Sequence, residues 1–252
     1  MSTTIIKCNM LSKTFSTGGN QQHVLKNLNL DIKEGDFTVI MGASGSGKST
    51  LLYALSGMDK PTLGEITFRD QEISTYSNDK LAVFRRENCG FVFQQIYLLS
   101  TMSVLDNCLA SGLLTSKNKK ATAKMAKELL ERIGLTKQDW SKFPSQLSGG
   151  EAQRVGIVRA LMNKPSVVFA DEPTGALNST SGQEVLELLT EVNEAGQSIL
   201  MVTHDIKSAR RGSRILYLKD GIICGDCLLG KYIKDDQQRQ DKLTAFLKEM
   251  GW

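Results

Sequence analysis

The sequence reads Gly42-Ala-Ser-Gly45-Ser-Gly47-Lys48-Ser49-Thr50 directly after a short apolar run, 37–41, and directly before a segment compatible with a helix. The glycines let the backbone curl so that successive N–H groups point inward at a phosphate chain, and the helix dipole adds positive charge there. Such composition is also typical of a flexible linker. A linker, however, needs neither a Lys-Ser pair after the last glycine nor a buried strand before the first. The pattern therefore predicts a phosphate-binding loop.

Two side chains of this loop have roles that follow from their chemistry. Lys48 supplies a cation for the β and γ phosphates of a nucleotide, and the Ser49 hydroxyl supplies a ligand for Mg²⁺. We therefore expect the loop to bind a nucleoside triphosphate together with Mg²⁺. The candidate binding residues of the loop are Gly42, Ser44, Gly45, Ser46, Gly47, Lys48, Ser49 and Thr50.

Composition is that of an ordinary globular chain, with 40% hydrophobic and 23% charged residues among 252. The net charge of +4 is too small to indicate a nucleic-acid partner. The sequence has no apolar run long enough for a membrane span and no signal-peptide pattern, so we expect no direct membrane insertion. Five cysteines without a secretion signal indicate reduced thiols in a cytosol. The pair Cys224 and Cys227 lacks the further ligands of a metal site.

Short apolar runs that alternate with helical segments predict strands buried on both faces of a parallel sheet. The predicted strands are residues 5–8, 27–32, 37–41, 65–68, 91–93, 167–170 and 199–202, with a loop at 16–20 and a hairpin joining 214–218 to 222–224. The predicted helices are residues 48–56, 125–133, 151–162, 181–195 and the last twenty. The layout predicts an α/β fold with one domain over 1–230, a helical insertion at about 95–150, and a helical extension over 231–252.

An acidic motif follows another predicted strand. Four apolar residues precede Asp171-Glu172-Pro173, which places two carboxylates at the edge of the sheet where open α/β folds bind ligands. One carboxylate can hold Mg²⁺, directly or through water, and the next can polarise an attacking water. A surface turn is the alternative, and the buried strand together with the separate phosphate loop disfavours it.

A second candidate anion site opens the predicted helix at 151–162. The sequence Leu147-Ser148-Gly149-Gly150-Glu151 directs a hydroxyl, two glycine amides and a helix dipole at one point. A plain capping turn explains the same residues equally well. Because one loop already binds a triphosphate in this chain, a second anion site makes most sense if it reaches the nucleotide of another subunit.

In their order along the chain, these motifs closely resemble those of the ATP-binding-cassette (ABC) ATPases. The resemblance covers almost the whole chain, from the phosphate loop through Gln94, the signature at 147–151 and Asp171-Glu172 to His204 after the next strand. It implies the ABC ATPase fold, a phosphate-loop core with an antiparallel β subdomain and an inserted α-helical subdomain. It also implies two cassettes, expected as a homodimer arranged head to tail, that sandwich two ATP molecules between one phosphate loop and the partner's signature.

The resemblance implies a set of binding residues. Lys48 and the backbone of Gly45 and Gly47 would cradle the phosphates. The Mg²⁺ ligands would be Ser49, Gln94 and Asp171. The residues acting in trans on the partner's nucleotide would be Ser148, Gly149 and Gly150. Phe15 matches the aromatic residue that stacks on adenine, and a core aromatic is the alternative for it.

The resemblance also implies the catalytic residues. Glu172 would be the general base, and His204 would contact the γ-phosphate and report its presence, with Gln94 and Lys48 completing the site. A lone histidine after a strand is usually structural, but its place in Val202-Thr-His-Asp205 favours the functional role here.

Two positions depart from the family pattern. The signature ends in Glu151 where Gln is commoner, a change that many members tolerate. The loop after Asp171-Glu172 ends in Asn178 where the family usually has Asp, and this loop is expected to cross the dimer interface. Hydrolysis should survive because Glu172 and His204 are both present. Coupling between the two nucleotide sites is the property that Asn178 puts in question.

A cassette without membrane spans is expected to work with integral membrane permease subunits, in the cytoplasm at the inner face of the cell membrane. In this family the surface after Gln94 receives a permease helix, and we expect residues 96–99 to expose apolar side chains there. Residues 90–99, 101–107 and 170–178 resemble one branch, which holds macrolide exporters, lipoprotein-release ATPases and bacitracin-type peptide-antibiotic transporters. Asn178 and the C-terminal extension favour the last group, so the sequence predicts export of, or resistance to, antimicrobial peptides.

Two other functions remain open at this point. A regulatory cassette would move a membrane partner that activates cell-wall hydrolases, without transport. A soluble cassette for translation or DNA repair is disfavoured, because translation-type members carry two cassettes per chain and repair-type members carry a long coiled-coil insertion. A role in iron–sulfur assembly stays open, although the segments quoted above match it less well. Degenerate cassettes without hydrolysis are disfavoured by Lys48, Glu172 and His204 together.

Overall fold

The computed structural model describes residues 3–252, apart from the side chain of Thr17, and the chain divides into two compact units. Unit 1 comprises Met1–Ala82 and Gly196–Trp252, and unit 2 comprises Val83–Ala195. The elements of unit 1 are β1 (Thr4–Thr17), β2 (Asn20–Lys33), β3 (Phe37–Met41), α1 (Lys48–Leu55), β4 (Leu63–Phe68), β5 (Gln71–Glu72), β8 (Ser198–Thr203), α7 (Ile206–Ala209), β9 (Arg214–Lys219), β10 (Ile222–Leu228) and α8 (Gln237–Glu249). Those of unit 2 are β6 (Cys89–Phe93), α3 (Val104–Gly112), α4 (Lys119–Arg132), a 3₁₀ turn (Pro144–Gln146), α5 (Gly149–Leu161), β7 (Val167–Asp171) and α6 (Ser179–Glu194), and α2 (Asn78–Asn88) crosses the boundary.

An antiparallel sheet in the order β2-β1-β4-β5 forms part of unit 1. Alternating apolar residues of its long strands are buried, among them Ile6, Cys8, Leu30 and Ile32. The register of β1 shifts between Cys8 and Leu11, where Met10 has a φ of 48°, as expected of a bulge that bends a long strand. This sheet confirms the antiparallel β subdomain implied by the resemblance.

The first hairpin is tighter than the sequence predicts. Residues 16–20 are expected as a loop, yet pairing continues to Thr17 opposite Asn20. Gly18 and Gly19 turn the chain with φ angles of 59° and 84°. Two positive φ angles in a row match the twist of paired strands, as in type I′ turns, so two glycines are enough to close the hairpin. The longer loop prediction is wrong for that reason.

The predicted parallel strands of unit 1 are present. β3 lies between β8 and β9 and runs parallel to both. Every residue of β3 and β8 is buried, which confirms strands covered on both faces. The predicted hairpin joins β9 to β10, with Asp220 and Gly221 at φ angles of 50° and 80°. Met41 at the end of β3 lies beside Thr203 of β8 and Tyr217 of β9.

The C-terminal segment is a helix packed on the same unit, as the sequence predicts. Leu243 and Leu247 of α8 are buried, and the following Trp252 meets the Tyr217 ring edge to face at 6.3 Å between centroids. Phe246 of α8 packs so closely over Gly225 that a β-carbon there would lie 2.7 Å from the Phe246 ring. The extension therefore covers the outer hairpin of unit 1.

Unit 2 combines one strand pair with a helical core. β6 and β7 pair in parallel from Cys89 opposite Val167 to Phe93 opposite Asp171. The predicted helical insertion is present as α3, α4 and the start of α5, and α3 itself is found only in the structure. Its N-cap Ser103 accepts a hydrogen bond from the Asp106 N–H, a Ser-x-x-Asp signal that the sequence analysis missed. The core shared by these helices consists of Val104, Cys108, Ala126, Leu130, Ile133, Leu135, Val155, Val158 and Met162.

An ion pair between a buried arginine and an exposed aspartate fastens the outer hairpin of unit 1. Arg214 of β9 donates from Nε and Nη2 to the two carboxylate oxygens of Asp226 on β10, at 3.0 and 2.7 Å. Its Nη1 donates to the Asp31 carbonyl of β2 at 2.6 Å. Hydrogen bonding to Asp226 raises the pKa of Arg214, so the guanidinium remains charged. Arg214 therefore links β9 to both β10 and β2.

We expect Arg214→Met to lower the free energy of unfolding by about 2 kcal/mol, because it removes the charged donor of the Asp31 carbonyl and of the exposed Asp226 carboxylate. The measurement is urea unfolding followed by Trp252 fluorescence in a Trp140→Phe background. The matched control is Arg69→Met, which breaks an exposed pair with Glu34 at 3.0 Å and should cost less than about 1 kcal/mol. Equal losses in the two variants would contradict a special role for Arg214.

Candidate functional site

The predicted phosphate loop of unit 1 is built as the sequence requires, between the end of β3 and the start of α1. At Gly42 a β-carbon would lie 2.1 Å from the Leu218 carbonyl oxygen, so no side chain fits there. Gly45 and Gly47 have φ angles of 79° and 100°, in the region that glycine adopts without strain. The glycines therefore serve both the close approach of the backbone and the curl of the loop.

The Lys48 ammonium lies inside this curl. Its Nζ donates to the carbonyl oxygens of Gly42 and Ala43, both at 2.9 Å, and the residue is only 7% exposed. These contacts fix the side chain against its own loop instead of leaving it extended into solvent. The loop thus places a cation at the N-terminus of a helix, where the backbone already favours anions.

No side chain caps the N-terminus of α1, whose N-cap residue is Gly47. Each of the helices α3 to α8 has such a cap, in order Ser103, Asn118, Ser148, Asn178, Asp205 and Asp236. Within residues 3–252, the buried Ser46 Oγ also has no hydrogen-bond partner. Helix termini need acceptors for their first N–H groups. This donor set, with the Lys48 cation beside it, fits the phosphates of a nucleotide.

His204 directly follows β8, which pairs with β3, the strand that leads into the phosphate loop. Because Met41 and Thr203 are opposite each other in parallel strands, Gly42 and His204 leave the same edge of the sheet, about 5 Å apart in the pairing direction. The neighbours of His204 are held firmly: the Thr203 hydroxyl accepts from the Asp205 N–H at 3.0 Å, and Asp205 caps α7. The structure therefore brings the exposed His204 to the edge that carries the phosphate loop.

The acidic motif and Gln94 share an edge of unit 2. Phe93 and Asp171 are opposite each other at the ends of β6 and β7, so Gln94 and Glu172 are the next residues on neighbouring strands. Asp171 is buried, and Glu172 has a φ of 47°. Left-handed backbone is costly for a residue with a side chain and concentrates at functional sites. The surface-turn alternative for this motif is wrong, since Asp171 is the last residue of a buried strand.

The loop after Glu172 is closed by its own hydrogen bonds. The Gly175 N–H donates to the Glu172 carbonyl, and the Leu177 N–H donates to the Thr174 carbonyl, both at 3.0 Å. Gly175 lies under the Gln94 side chain, since a β-carbon there would come within 2.9 Å of Gln94 Nε2. Gln94 and the Glu172 loop are therefore in contact.

A residue that the sequence analysis did not single out connects the same segments. Gln153 of α5 is buried, and its Nε2 donates to the carbonyl oxygens of Phe93 at 3.0 Å and Pro173 at 2.9 Å. A glutamine two residues into a helical pattern carries no signal of its own. Only the tertiary structure shows that its amide reaches the residues next to Gln94 and Glu172.

The signature at the start of α5 forms a capping box. The Glu151 carboxylate accepts from the Ser148 N–H and Oγ–H, both at 2.7 Å, and the Ser148 Oγ accepts from the Glu151 N–H at 3.3 Å. The Ser148 N–H, and next its hydroxyl, lower the pKa of Glu151. Gly150 packs against α6, where a β-carbon would lie 2.7 Å from Ser181. The capping-turn interpretation is confirmed, and the anion site stays a prediction.

Asn178 is the N-cap of α6. Its Oδ1 accepts from the Ser181 N–H at 2.9 Å, which is the bond that an aspartate would also make. The side chain is exposed. The departure from the family pattern therefore keeps the cap and changes only the charge.

Phe15 lies on the surface of unit 1. Its ring is 43% exposed, so the core-aromatic alternative is wrong. The Lys13 ammonium lies 5.0 Å from the ring centroid and is itself held by Asp59 Oδ2 at 2.6 Å and the Lys60 carbonyl at 2.7 Å. A cation fixed over an aromatic ring orients that ring. An oriented, exposed aromatic surface suits stacking with a flat ligand.

The segment after Gln94 exposes part of its apolar surface, as expected. Tyr97 and Leu99 are 63% and 52% exposed, whereas Ile96 and Leu98 are half-buried. Arg159 of α5 donates to the carbonyl oxygens of Ile96 and Tyr97, which fixes the path of this segment.

Within residues 3–252, no three or more His, Cys, Asp or Glu side chains gather in a group that could hold a metal ion. In the same part of the chain, no helix has the length and apolar character needed to cross a membrane.

Residues 25–175 match the protein family described as ABC transporter. The chain is 42% identical over 224 residues to the lipoprotein-releasing system ATP-binding protein LolD of Idiomarina loihiensis, covering 88% of this chain and 98% of that protein. It is 44% identical over 252 residues to the macrolide export ATP-binding/permease protein MacB of a Shewanella species, covering 100% of this chain and 39% of that protein.

A solved structure has the same fold. A dimeric post-hydrolysis state of the ATP-binding cassette MJ0796, bound to ADP and Pi, superposes with a TM-score of 0.82 at 40% identity, covering 88% of this chain and 98% of that one. The predicted fold class, a phosphate-loop α/β core with an antiparallel β part and inserted helices, is therefore confirmed.

The lowered pKa of Glu151 gives a pH-dependent prediction. Because the folded-state pKa lies below the ordinary value of 4.5, the ionised cap stabilises the fold above that value, and this contribution is lost as pH falls through the lowered pKa. We expect Glu151→Gln to cost less than about 1 kcal/mol at pH 7. The difference from the parent should shrink below pH 4.5 in thermal unfolding. A difference that grows toward acid pH would contradict this account, and exposed Glu191→Gln serves as the control.

Proposed function

This chain belongs to the ABC transporter family, and from that premise we propose that it is the ATP-hydrolysing subunit of a transporter, acting on integral membrane permease subunits. The observation that carries the proposal is the N-terminus of α1, which alone among α1 and α3 to α8 lacks a side-chain cap and has the Lys48 ammonium beside it. A helix terminus built in this way suits a ligand that brings its own anionic oxygens. The triphosphate of ATP is such a ligand.

We propose that the nucleotide is bound by the residues that the sequence predicts. The backbone of residues 42–50 and the Lys48 ammonium would bind the phosphates, and the exposed Phe15 ring would stack on adenine. The Mg²⁺ ligands would be Ser49, Gln94 and Asp171, a hydroxyl, an amide oxygen and a carboxylate, which are the hard oxygen ligands that this ion prefers. Mg²⁺, when bound, offsets the charge that develops on the phosphates.

The proposed hydrolysis depends on Glu172 and His204. Glu172 would accept a proton from the attacking water, and its left-handed backbone directs the residue away from the path of a regular strand. His204 would donate a hydrogen bond toward the γ-phosphate from the edge that also carries the phosphate loop. Lys48 would stabilise the same group by its charge.

The proposed assembly is a dimer with a second copy of this ATPase, arranged head to tail. Ser148, with the amides of Gly149 and Gly150, would meet the γ-phosphate of the partner's ATP. In the free chain the Ser148 hydroxyl donates to Glu151, so it must turn from this carboxylate to the phosphate when the dimer closes. ADP lacks the γ-phosphate and would not favour the closed state. The similar cassette whose solved structure is dimeric with ADP and Pi bound supports a dimer.

We expect Glu172→Gln to bind ATP and to form an ATP-dependent dimer while hydrolysis falls by about a hundredfold or more, following the size of general-base effects. Light scattering with ATP or ADP and a phosphate-release assay measure the two effects. Lys48→Ala should instead weaken nucleotide binding itself, because it removes the cation of the loop.

The control is Glu191→Gln on the exposed face of α6, which should hydrolyse ATP at the parent rate. Hydrolysis at the parent rate in Glu172→Gln would show that another group is the base. A Glu172→Gln protein that stays monomeric with ATP bound would show that closure needs the permease or an aspartate at position 178.

The substrate that we propose is more specific than the family match. The relatives named above concern lipoprotein release and macrolide export, and the chain spans about two fifths of the macrolide protein's length. Our proposal of antimicrobial peptides rests on the sequence resemblance, on Asn178 and on the C-terminal helix. The protein would then lie at the inner face of the membrane, held there by its permease through the surface of Tyr97 and Leu99.

This proposal predicts which compound stimulates the transporter. With the complete complex in vesicles, a bacitracin-type peptide should raise ATP hydrolysis severalfold, whereas a macrolide or a lipoprotein should not. Stimulation by the macrolide or the lipoprotein instead would contradict the peptide substrate. The second candidate, a regulatory cassette for cell-wall hydrolases, predicts no stimulation by any of the three and stimulation by the hydrolase. Glu172→Gln in the same complex controls for hydrolysis by contaminants.

A further inference from the structure

Gln153 is a polar side chain among the buried residues of α5. It is 1% exposed, and both hydrogens of its Nε2 have an acceptor: the carbonyl oxygen of Phe93 at 3.0 Å and that of Pro173 at 2.9 Å. Buried amides are expensive unless their hydrogen bonds are made. Position 153 therefore requires a side chain that can donate hydrogen bonds. An apolar residue there would leave the Phe93 and Pro173 carbonyl oxygens without this donor.

The two acceptors lie next to the proposed catalytic groups. Phe93 immediately precedes Gln94, and Pro173 immediately follows Glu172. Phe93 and Asp171 are paired at the ends of β6 and β7, so the two segments leave the sheet side by side. One amide group thus joins the segment of the proposed metal ligand to the segment of the proposed base.

The helix that carries Gln153 begins at the signature. Ser148 and Gln153 are separated by about 7.5 Å along the axis of α5, given the rise of 1.5 Å per residue. The same helix makes a second attachment, since Arg159 donates to the carbonyl oxygens of Ile96 and Tyr97. α5 is therefore fastened at two points to the segment that contains Gln94, and at one point to the segment that contains Glu172.

We propose that Gln153 is a positioning residue for ATP hydrolysis, which holds the Gln94 and Glu172 segments in register with the signature helix. The inference rests on the roles proposed above for Gln94 and Glu172. A helix is stiff along its axis, so a shift of Ser148 on the partner's nucleotide reaches Gln153 without loss. Through its two bonds, the same shift reaches the base of this chain. Gln153 would then link closure of the dimer to the alignment of Glu172.

The first test is Gln153→Met, which keeps most of the side-chain volume and removes both donors. We expect kcat to fall by about a hundredfold, the size of effect that a misplacement of about 1 Å produces. The Kd for ATP should stay within about twofold, because the carbonyl oxygens of its own loop hold the Lys48 ammonium. Gln183→Met makes the same change on the exposed face of α6 and should leave both constants at the parent values.

A double variant separates positioning from general damage. If Gln153 acts through Glu172, then Gln153→Met should cause little further loss of single-turnover hydrolysis in a Glu172→Gln background, since residues that act as a unit are not additive. A merely structural residue would lower the rate by the same factor in both backgrounds. Additive losses would therefore overturn the proposal.

A second variant gives a pH signature. In Gln153→Glu the ionised carboxylate cannot donate to either carbonyl, whereas the protonated acid can donate to one of them. The rate of this variant relative to the parent should therefore rise as pH falls from 8 to 6. A ratio that is constant with pH would also count against the proposal.

The outcomes distinguish this inference from the proposed function. If Glu172→Gln hydrolyses ATP normally, the proposed base is wrong whatever Gln153 does. If Glu172→Gln is inactive but a folded Gln153→Met keeps the parent kcat, the proposed function stands and the positioning role is wrong. Loss of kcat with ATP binding kept, and without additivity, supports the positioning role.

Discussion

The arrangement of the candidate residues depends on parallel strands that end in register. In unit 1, Met41 lies opposite Thr203, and in unit 2, Phe93 lies opposite Asp171. A parallel ladder holds this register through evenly spaced hydrogen bonds. Each polar residue that follows a strand end is therefore placed beside another one that is distant in sequence. The pairing of the apolar strands therefore determines where the polar candidate residues lie.

The two predicted anion sites differ in whether a side chain caps the helix N-terminus. The N-terminus of α1 has no side-chain cap, whereas that of α5 is closed by Ser148 and Glu151. A phosphate at α1 would supply acceptors that the chain does not provide by side chains. A phosphate at α5 would compete with a carboxylate that already accepts two hydrogen bonds. The first terminus suits lasting binding, and the second suits a contact that forms only when a partner's phosphate arrives.

Local patterns predicted the phosphate loop, most strands and the functional motifs, because each depends on residues close together in the chain. Other features, α2 among them, were not predicted. The hairpin at Gly18 is tighter than composition indicates, α3 was missed despite its Ser103 cap, and the exposure of Phe15 could not be judged from sequence. Gln153 is the most informative omission, because its importance lies in two carbonyl acceptors that are 60 and 20 residues away. Such long-range bonds leave no periodic signal in the sequence.

Asn178 shows how a departure from a family pattern can be read in physical terms. Its Oδ1 makes the capping bond of α6, and the loop before it is closed by the bonds from Gly175 to Glu172 and from Leu177 to Thr174. The shape of the loop therefore does not need the charge of an aspartate. What the asparagine changes is the group presented to solvent, or to a second copy in the proposed dimer: a neutral amide that can donate as well as accept. Any effect of Asn178 should accordingly fall on the contact between copies and leave the position of Glu172 unchanged.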